Sequence, residues 1–408
     1  MRVDQLSMHG FDKGAADRIG RALRGIVERG FATGNSIAIG RGGARVYEEY
    51  CGYADLARTA PVDESTKFRV YSMTKVVTAV AVMQLWEQGV FSLNDPVSAY
   101  IPSFAAPNVG QRRADGSWEL RPAAREIMVR DLLTMTSGIP YTGDDPAGRG
   151  MDELVRRWRA EQEAGRPWDT VRVAEEVGTL PLMFDPGSYY NYGFSFDILG
   201  ALIQIWTGLT LAQYCERHIF RPLGMRDSGF LLDGAGPVAE MCTFGPDGQL
   251  IHADEVGTPS VDAVNWGPPH FFSGGAGMIS TLGDYFKFTR ALALGGTADG
   301  VRLIGSRTLK LMSAPHLNAR QLPGYNQGDP CAFGPSYNYG FGVRVMTEPI
   351  HGSSISSVGE WGWSGALGTW MAVDPKEDLY FVYMHQHAPA DHDAYMPKLL
   401  AAIYASLA

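Results

Sequence analysis

Hydrophobic positions along this chain fall into three regimes. Near the start, Ile19, Leu23, Ile26 and Val27 recur at the spacing of one helical face, which predicts an amphipathic helix over about residues 12–29. Two runs follow, Ser36–Gly40 and Arg45–Tyr53, with Gly42-Gly43 between them, and together they read as a β-hairpin. Then the polar face disappears. From Val76 to Trp86 no residue is charged (Val-Val-Thr-Ala-Val-Ala-Val-Met-Gln-Leu-Trp), and a helix that is apolar nearly all round is a buried helix. Lys67–Tyr71 reads as a strand leading into it.

Helical periodicity dominates the middle. Arg130–Thr134, Asp152–Ala164, Val171–Val177, Phe196–Thr207, Leu211–Ile219 and Leu282–Ala293 are the predicted helices. Gly245-Pro246-Asp247-Gly248 marks a turn, as of a small hairpin. Strand character returns at Tyr339–Val345, Gly368–Val373 and Leu379–Met384, the last two joined by the turn Asp374–Asp378. An apolar stripe of Leu399, Leu400, Ile403, Tyr404 and Leu407 predicts a closing helix over Ala394–Leu407. Strands and helices at both ends around a helical middle predict an α+β fold: an antiparallel sheet with terminal helices on it and an inserted all-helical domain. The expected division is 1–71 with 283–408 for the sheet domain and 72–282 for the helical one, with the site in the cleft between. The segments Pro102–Glu126, Met241–Phe271 and Pro315–Pro335 are expected as long loops.

Composition narrows the class. With 408 residues and 45% hydrophobic content the chain can bury a large core. Its formal charge of −9, without clustered basic residues, argues against nucleic-acid binding. No apolar run reaches the ~18–20 residues a membrane span needs. Met1–Arg24 is studded with Asp and Arg and does not read as a secretory signal. Cys51, Cys215, Cys242 and Cys331 are far apart, without a C-x-x-C pair, so a cytoplasmic protein with reduced thiols is the simplest expectation.

Ser72-Met73-Thr74-Lys75 sits at the start of the apolar helix. Residues i and i+3 share a helical face, so the lysine amine can reach the serine hydroxyl. Burial disfavours a charged amine, and a neutral amine can take the proton that a weak serine nucleophile must lose. The helix N-terminus favours a developing alkoxide. The bland alternative is a lysine snorkelling from a core helix beside a capping serine.

Several segments together carry a resemblance. They are Val70–Lys75; Val129–Pro140 (Val-Arg-Asp-Leu-Leu-Thr-Met-Thr-Ser-Gly-Ile-Pro); Asp185-Pro186-Gly187 leading to Tyr192 and Asp197–Gly200; Gly274–Thr281; and Gly362–Thr369 with Asp374-Pro375. In order and spacing the chain resembles the serine β-lactamase and penicillin-binding-protein superfamily, in its class C-like branch, and within it the family VIII carboxylesterases and related acyltransferases. The resemblance implies a tyrosine as partner base. Tyr189-Tyr190-Asn191 spells the β-lactamase pattern Y-x-N, whereas Tyr192 has the esterase spacing from Gly187 and Asp197. Spacing favours Tyr192, and Tyr189 stays open as the alternative. Lys75 and Tyr192 are then expected to share the Ser72 proton, and the oxyanion hole is expected from the backbone N–H groups of Ser72 and Ala366.

In the family's third motif, β-lactamases and D,D-peptidases carry Lys or His, then Thr or Ser, then Gly. Here it reads Trp363-Ser364-Gly365. Losing that cation penalises carboxylate-bearing substrates and spares neutral esters. The indole is expected as an apolar wall of the pocket, and Tyr189, Tyr190 and Phe194 as its aromatic lining.

Three further patterns carry less. Gly362-Trp363-Ser364-Gly365-Ala366 misses G-x-S-x-G at its last residue. His385, His387, Asp391, His392 and Asp393 cluster in sequence, but a strand end followed by a helix start explains them better than a metal site. Gly274-Gly275-Ala276-Gly277 lacks the lysine of a P-loop and reads as backbone passing close to the cleft. The expectation is a serine hydrolase of small or medium neutral esters, acting through an acyl-enzyme at Ser72, with no metal or other cofactor, a small-molecule ester as partner and no nucleic-acid or membrane partner. Alternatives are acyl transfer to an alcohol or amine, β-lactamase or amidase activity, and an inactive binding protein on the same scaffold.

Overall fold

Seven strands form one antiparallel sheet, and its two edges come from opposite ends of the chain. The computed structural model describes residues 6–231, 236–256, 270–328, 336–349 and 354–408. The strands are β1 (Gly34–Arg41), β2 (Ala44–Gly52), β3 (Tyr337–Tyr339), β4 (Arg344–Met346), β5 (Trp361–Ser364), β6 (Trp370–Asp374) and β7 (Leu379–Met384). Their order is β3-β4-β5-β6-β7-β1-β2, so β7 brings the C-terminal meander against β1, with Ser36 opposite Met384.

Successive strand side chains point to opposite faces, and both faces are covered. Ile37, Ile39, Phe381 and Tyr383 pack beneath two terminal helices, α1 (Ala15–Glu28) and α4 (His392–Tyr404). Ala38, Tyr380, Val382 and Met384 face the larger core, which holds α2 (Thr74–Glu87) and α3 (Leu282–Ala293). Two-sided burial explains why Leu379–Met384 reads as an unbroken apolar run.

Every residue of α2 from Thr74 to Leu85 is buried. Each fully buried valine or leucine there contributes roughly 1.5–3 kcal/mol. The polar members of the helix each reach a partner. Thr74 Oγ1 accepts from the Met278 amide at 3.0 Å, Thr78 Oγ1 donates to the Gly274 carbonyl at 2.9 Å, and Gln84 Nε2 donates to the Leu303 carbonyl at 3.0 Å. A buried helix keeps such side chains where neighbouring loops need hydrogen bonds.

Several expectations need correction. The strand expected over Tyr339–Val345 is two strands, β3 and β4, with a tight turn between them closed by the Gly340 amide on the Val343 carbonyl at 2.7 Å. The loop expected over Pro102–Glu126 contains a hairpin, Asn108–Arg112 with Trp118–Pro122. The helix expected from Asp152 starts at Pro146, because the Asp145 carboxylate accepts from the Ala147 and Gly148 amides and caps it there. Leu211–Ile219 is helical to Cys215 and widens into a π-type turn over Glu216–Phe220. Ser306–Met312 and Leu322–Gly328 are helices the periodicity did not indicate, the second inside the expected loop Pro315–Pro335. Within the expected loop Met241–Phe271, Cys242–Phe244 pairs with Leu250–His252 around the predicted turn. Residues 257–269 and 329–335, with Cys331, lie outside the described residues.

The C-terminal histidines are packed separately. His385 Nδ1 is 2.8 Å from the Tyr383 hydroxyl, His387 Nδ1 is 2.8 Å from the Pro389 carbonyl, and the His392 ring lies 5.2 Å from that of Trp370. Among the described residues, no three His, Cys, Asp or Glu side chains converge on a metal position. Burial holds the His385 imidazole well below its ordinary range, helped by His387 and His392 nearby. Burial, with Arg344 close by, lowers His392 to about 3. A histidine depressed in the folded state is protonated first in the unfolded chain. Its contribution is therefore complete above about pH 6.5 and is lost as pH falls toward the folded value. In chemical denaturation between pH 7 and 5, the stability of the protein should fall more steeply than that of His392→Phe, by on the order of 1 kcal/mol per pH unit. Parallel slopes for the two proteins would contradict this.

Candidate active site

The strand Lys67–Arg69 pairs with Ile279–Thr281, and the chain then turns through a 3₁₀ segment, Tyr71–Met73, into α2. Tyr71, just before the serine, has φ +43°, a left-handed conformation that costs a non-glycine residue energy and occurs where surroundings enforce it. This turn sets Ser72 at the mouth of α2 and Lys75 in its first turn.

Lys75 has no solvent-exposed surface, and Ser72 is 9% exposed. Lys75 Nζ donates to Ser72 Oγ at 3.1 Å and to the Gly275 carbonyl at 2.7 Å. It also lies 4.6 Å from the ring centre of Tyr192 and 5.7 Å from that of Tyr141. The surroundings are therefore dry but not simply apolar: two π faces and a carbonyl point at the amine.

Of the two candidate tyrosines, Tyr192 stands beside Lys75. Its hydroxyl accepts from Trp363 Nε1 at 3.2 Å. Tyr189 is 37% exposed, with its ring edge-on to Phe184 at 5.7 Å. The loop that carries Tyr192 is fastened to the Val129–Pro140 segment: the Asn191 amide donates to the Met135 carbonyl at 3.0 Å and the Gly187 amide to the Thr136 carbonyl at 2.7 Å.

Several residues expected to line the pocket are buried instead. Trp363 has no exposed surface, because its indole packs 5.1 Å from Tyr339 and bonds Tyr192; it supports the tyrosine from behind and is not an open wall. Tyr190 is 1% exposed, packed between Tyr325 and Tyr339. Phe194 is buried against Tyr141 and Phe271, and Ser364 is buried in β5. Tyr141 and Tyr189 keep exposed ring surface.

Gly365 follows β5, and a Cβ on it would come 2.5 Å from the Val70 carbonyl. Only glycine lets this turn lie against the approach to Ser72. The next residue, Ala366, is exposed, and among the described residues no acceptor is bonded to its amide.

Sequence reasoning gave no role to Asp197, although it stands in a quoted segment. Its carboxylate is buried, accepts from Ser273 Oγ at 2.5 Å and the Gly275 amide at 3.3 Å, and is pushed upward in pKa by burial, with nearby Lys75 opposing. Asp197 thus clamps the backbone whose carbonyl holds Lys75. At Gly274 a Cβ would lie 2.2 Å from the Phe196 carbonyl, so the glycine run lets this backbone pass between two helices.

The Lys75 amine thus joins the Ser72 hydroxyl to the ring face of Tyr192, whose own hydroxyl is held by Trp363 of β5. The family model described as Beta-lactamase matches residues 19–405. The chain belongs to the beta-lactamase family. It is 32% identical over 343 residues to an uncharacterized protein of Mycobacterium tuberculosis, covering 83% of this chain and 82% of that one. It is 28% identical over 346 residues to Esterase EstB of Burkholderia gladioli, covering 82% and 81%. Its fold superposes on simvastatin synthase (LovD) of Aspergillus terreus with a TM-score of 0.78 at 25% identity, over 96% of this beta-lactamase family member and 98% of that chain.

Proposed function

We propose that this chain is a serine hydrolase acting on neutral carboxylic esters, with Ser72 as nucleophile and Lys75 and Tyr192 as the proton-transfer pair. The observation that carries the reading is the contact of the buried Lys75 amine with both the Ser72 hydroxyl and the Tyr192 ring face. In the first half-reaction the Ser72 proton passes to this pair as Oγ bonds the ester carbonyl carbon. Collapse breaks the bond to the alcohol oxygen, which leaves with the proton. In the second half the same pair takes a proton from water as its oxygen bonds the acyl carbon, and returns a proton to Oγ as the bond from Oγ to that carbon breaks. The amides of Ser72 and Ala366 are the oxyanion donors in this reading, and one such donor is worth about 2.7–4 kcal/mol.

Acyl transfer uses the same intermediate with an alcohol or amine in place of water. It stays within the proposal because Esterase EstB and monacolin J acid methylbutanoyltransferase of Aspergillus terreus are each 28% identical to this chain. A β-lactamase reading is disfavoured by Trp363, a neutral indole where a substrate carboxylate would need a cation. A charge-assisted hydrogen bond contributes about 1.5–3 kcal/mol, so its loss amounts to at least about tenfold in rate. Turnover of p-nitrophenyl butyrate should therefore exceed that of a carboxylate-bearing cephalosporin by more than this factor. Faster cephalosporin turnover would overturn the assignment of substrate class.

A further inference from the structure

At the far end of α2, about 18 Å along the helix axis from Ser72, a cavity of about 980 Å³ opens between the last turn of α2, the stretch Tyr214–Pro222 and residues 302–308. None of Ser72, Lys75 or Tyr192 lines it. Two features set it apart from an ordinary surface recess.

The first is charge. Arg217 and Arg307 line it from different elements, and among the described residues neither is ion-paired to an acidic side chain. The one carboxylate in the wall, Glu87, is already engaged, accepting from Arg302 at 2.9 Å and from the Gly305 amide at 2.6 Å. Two uncommitted cations therefore face one cavity in a chain of net charge −9. Such guanidinium groups match carboxylate and phosphate geometry.

The second is a pair of buried polar atoms without partners. Gln84 is 8% exposed; its Nε2 is used on the Leu303 and His218 carbonyls, while its Oε1 has no donor. Tyr214 is 2% exposed, and its hydroxyl has no partner. Both residues line the cavity. An orphaned buried acceptor costs on the order of 1–3 kcal/mol, which a ligand hydroxyl would recover. The His218 ring, stacked on Tyr214 at 4.5 Å, completes this wall, and burial together with Arg217 disfavours its charged form.

We propose that this cavity is a second ligand site for a small hydroxylated anion, whose carboxylate or phosphate is held by Arg217 and Arg307 and whose hydroxyl donates to Gln84 Oε1. Isothermal titration of the whole protein with citrate and with glycerol 3-phosphate tests this and separates the two headgroups. At least one should bind, inorganic phosphate should bind more weakly, and Arg217→Ala/Arg307→Ala should weaken binding about tenfold or more. Ser72→Ala should leave it unchanged. Both arginines are exposed, so the double variant should keep its fold, which its melting temperature checks. Gln84→Leu should weaken the hydroxylated ligands while leaving inorganic phosphate alone. Absence of binding by both compounds, binding indifferent to the arginines, or inorganic phosphate binding as tightly as either compound would overturn the proposal.

Discussion

Ser72→Ala should lower p-nitrophenyl butyrate turnover by about 10⁴-fold or more while leaving the melting temperature nearly unchanged. The hydroxyl is 9% exposed, and in the described contacts its side chain is held by Lys75 alone, so removing it disturbs little packing. Lys75→Ala should cost nearly as much activity, and the double variant scarcely more than either single one. Groups that move one proton act as a unit, and their losses do not add. Strictly multiplicative losses would show that the lysine works elsewhere.

Tyr192→Phe should carry the second largest effect, a loss of about 10²–10⁴-fold in kcat. The ring and its contacts with Lys75 and Trp363 survive in this variant, and only the oxygen that accepts from Trp363 Nε1 is removed. Tyr189→Phe should stay within about twofold of the parent, as for an exposed residue away from the proton path. Steady-state kinetics on the two variants decides between the registers. A severe defect in Tyr189→Phe with a mild one in Tyr192→Phe would move the partner base to Tyr189.

The parts legible in the sequence were those governed by local pattern. The charge-free run Val76–Trp86 could be nothing but a buried helix, and the alternation that places Ile37 and Ile39 opposite Ala38 belongs to a sheet covered on both sides. Where reading failed, long-range contacts decided. Tyr339–Val345 looks like one strand because most of its residues are aromatic or aliphatic, yet Gly340 and Gly342 fold it into a hairpin against α2's neighbourhood, with the Gly342 amide on the Leu133 carbonyl at 3.2 Å. The hairpin at Asn108–Pro122 does carry a local signal, Asp115-Gly116 between runs of alternating residues.

In the site, sequence spacing indicates that a serine, a lysine and a tyrosine are near one another, because two lie on one helix face and the third sits at a fixed interval from glycine and aspartate motifs. It does not indicate what surrounds them. Trp363 was read as a wall because indoles are bulky and apolar; only the tertiary pairing of β5 with the Tyr192 loop turns its N–H into a donor to the phenol. Asp197 was visible as a motif residue, but its hold on Ser273 and Gly275 joins segments some 76 residues apart and leaves no trace in local periodicity.

The most direct measurement is the mass of the protein quenched in acid during p-nitrophenyl butyrate turnover, followed by peptide mapping. The account predicts a gain of one butyryl group on the peptide containing Ser72, absent from Ser72→Ala. Steady turnover with an unmodified Ser72 peptide, or a butyryl group on any other residue that follows the kinetics, would contradict it.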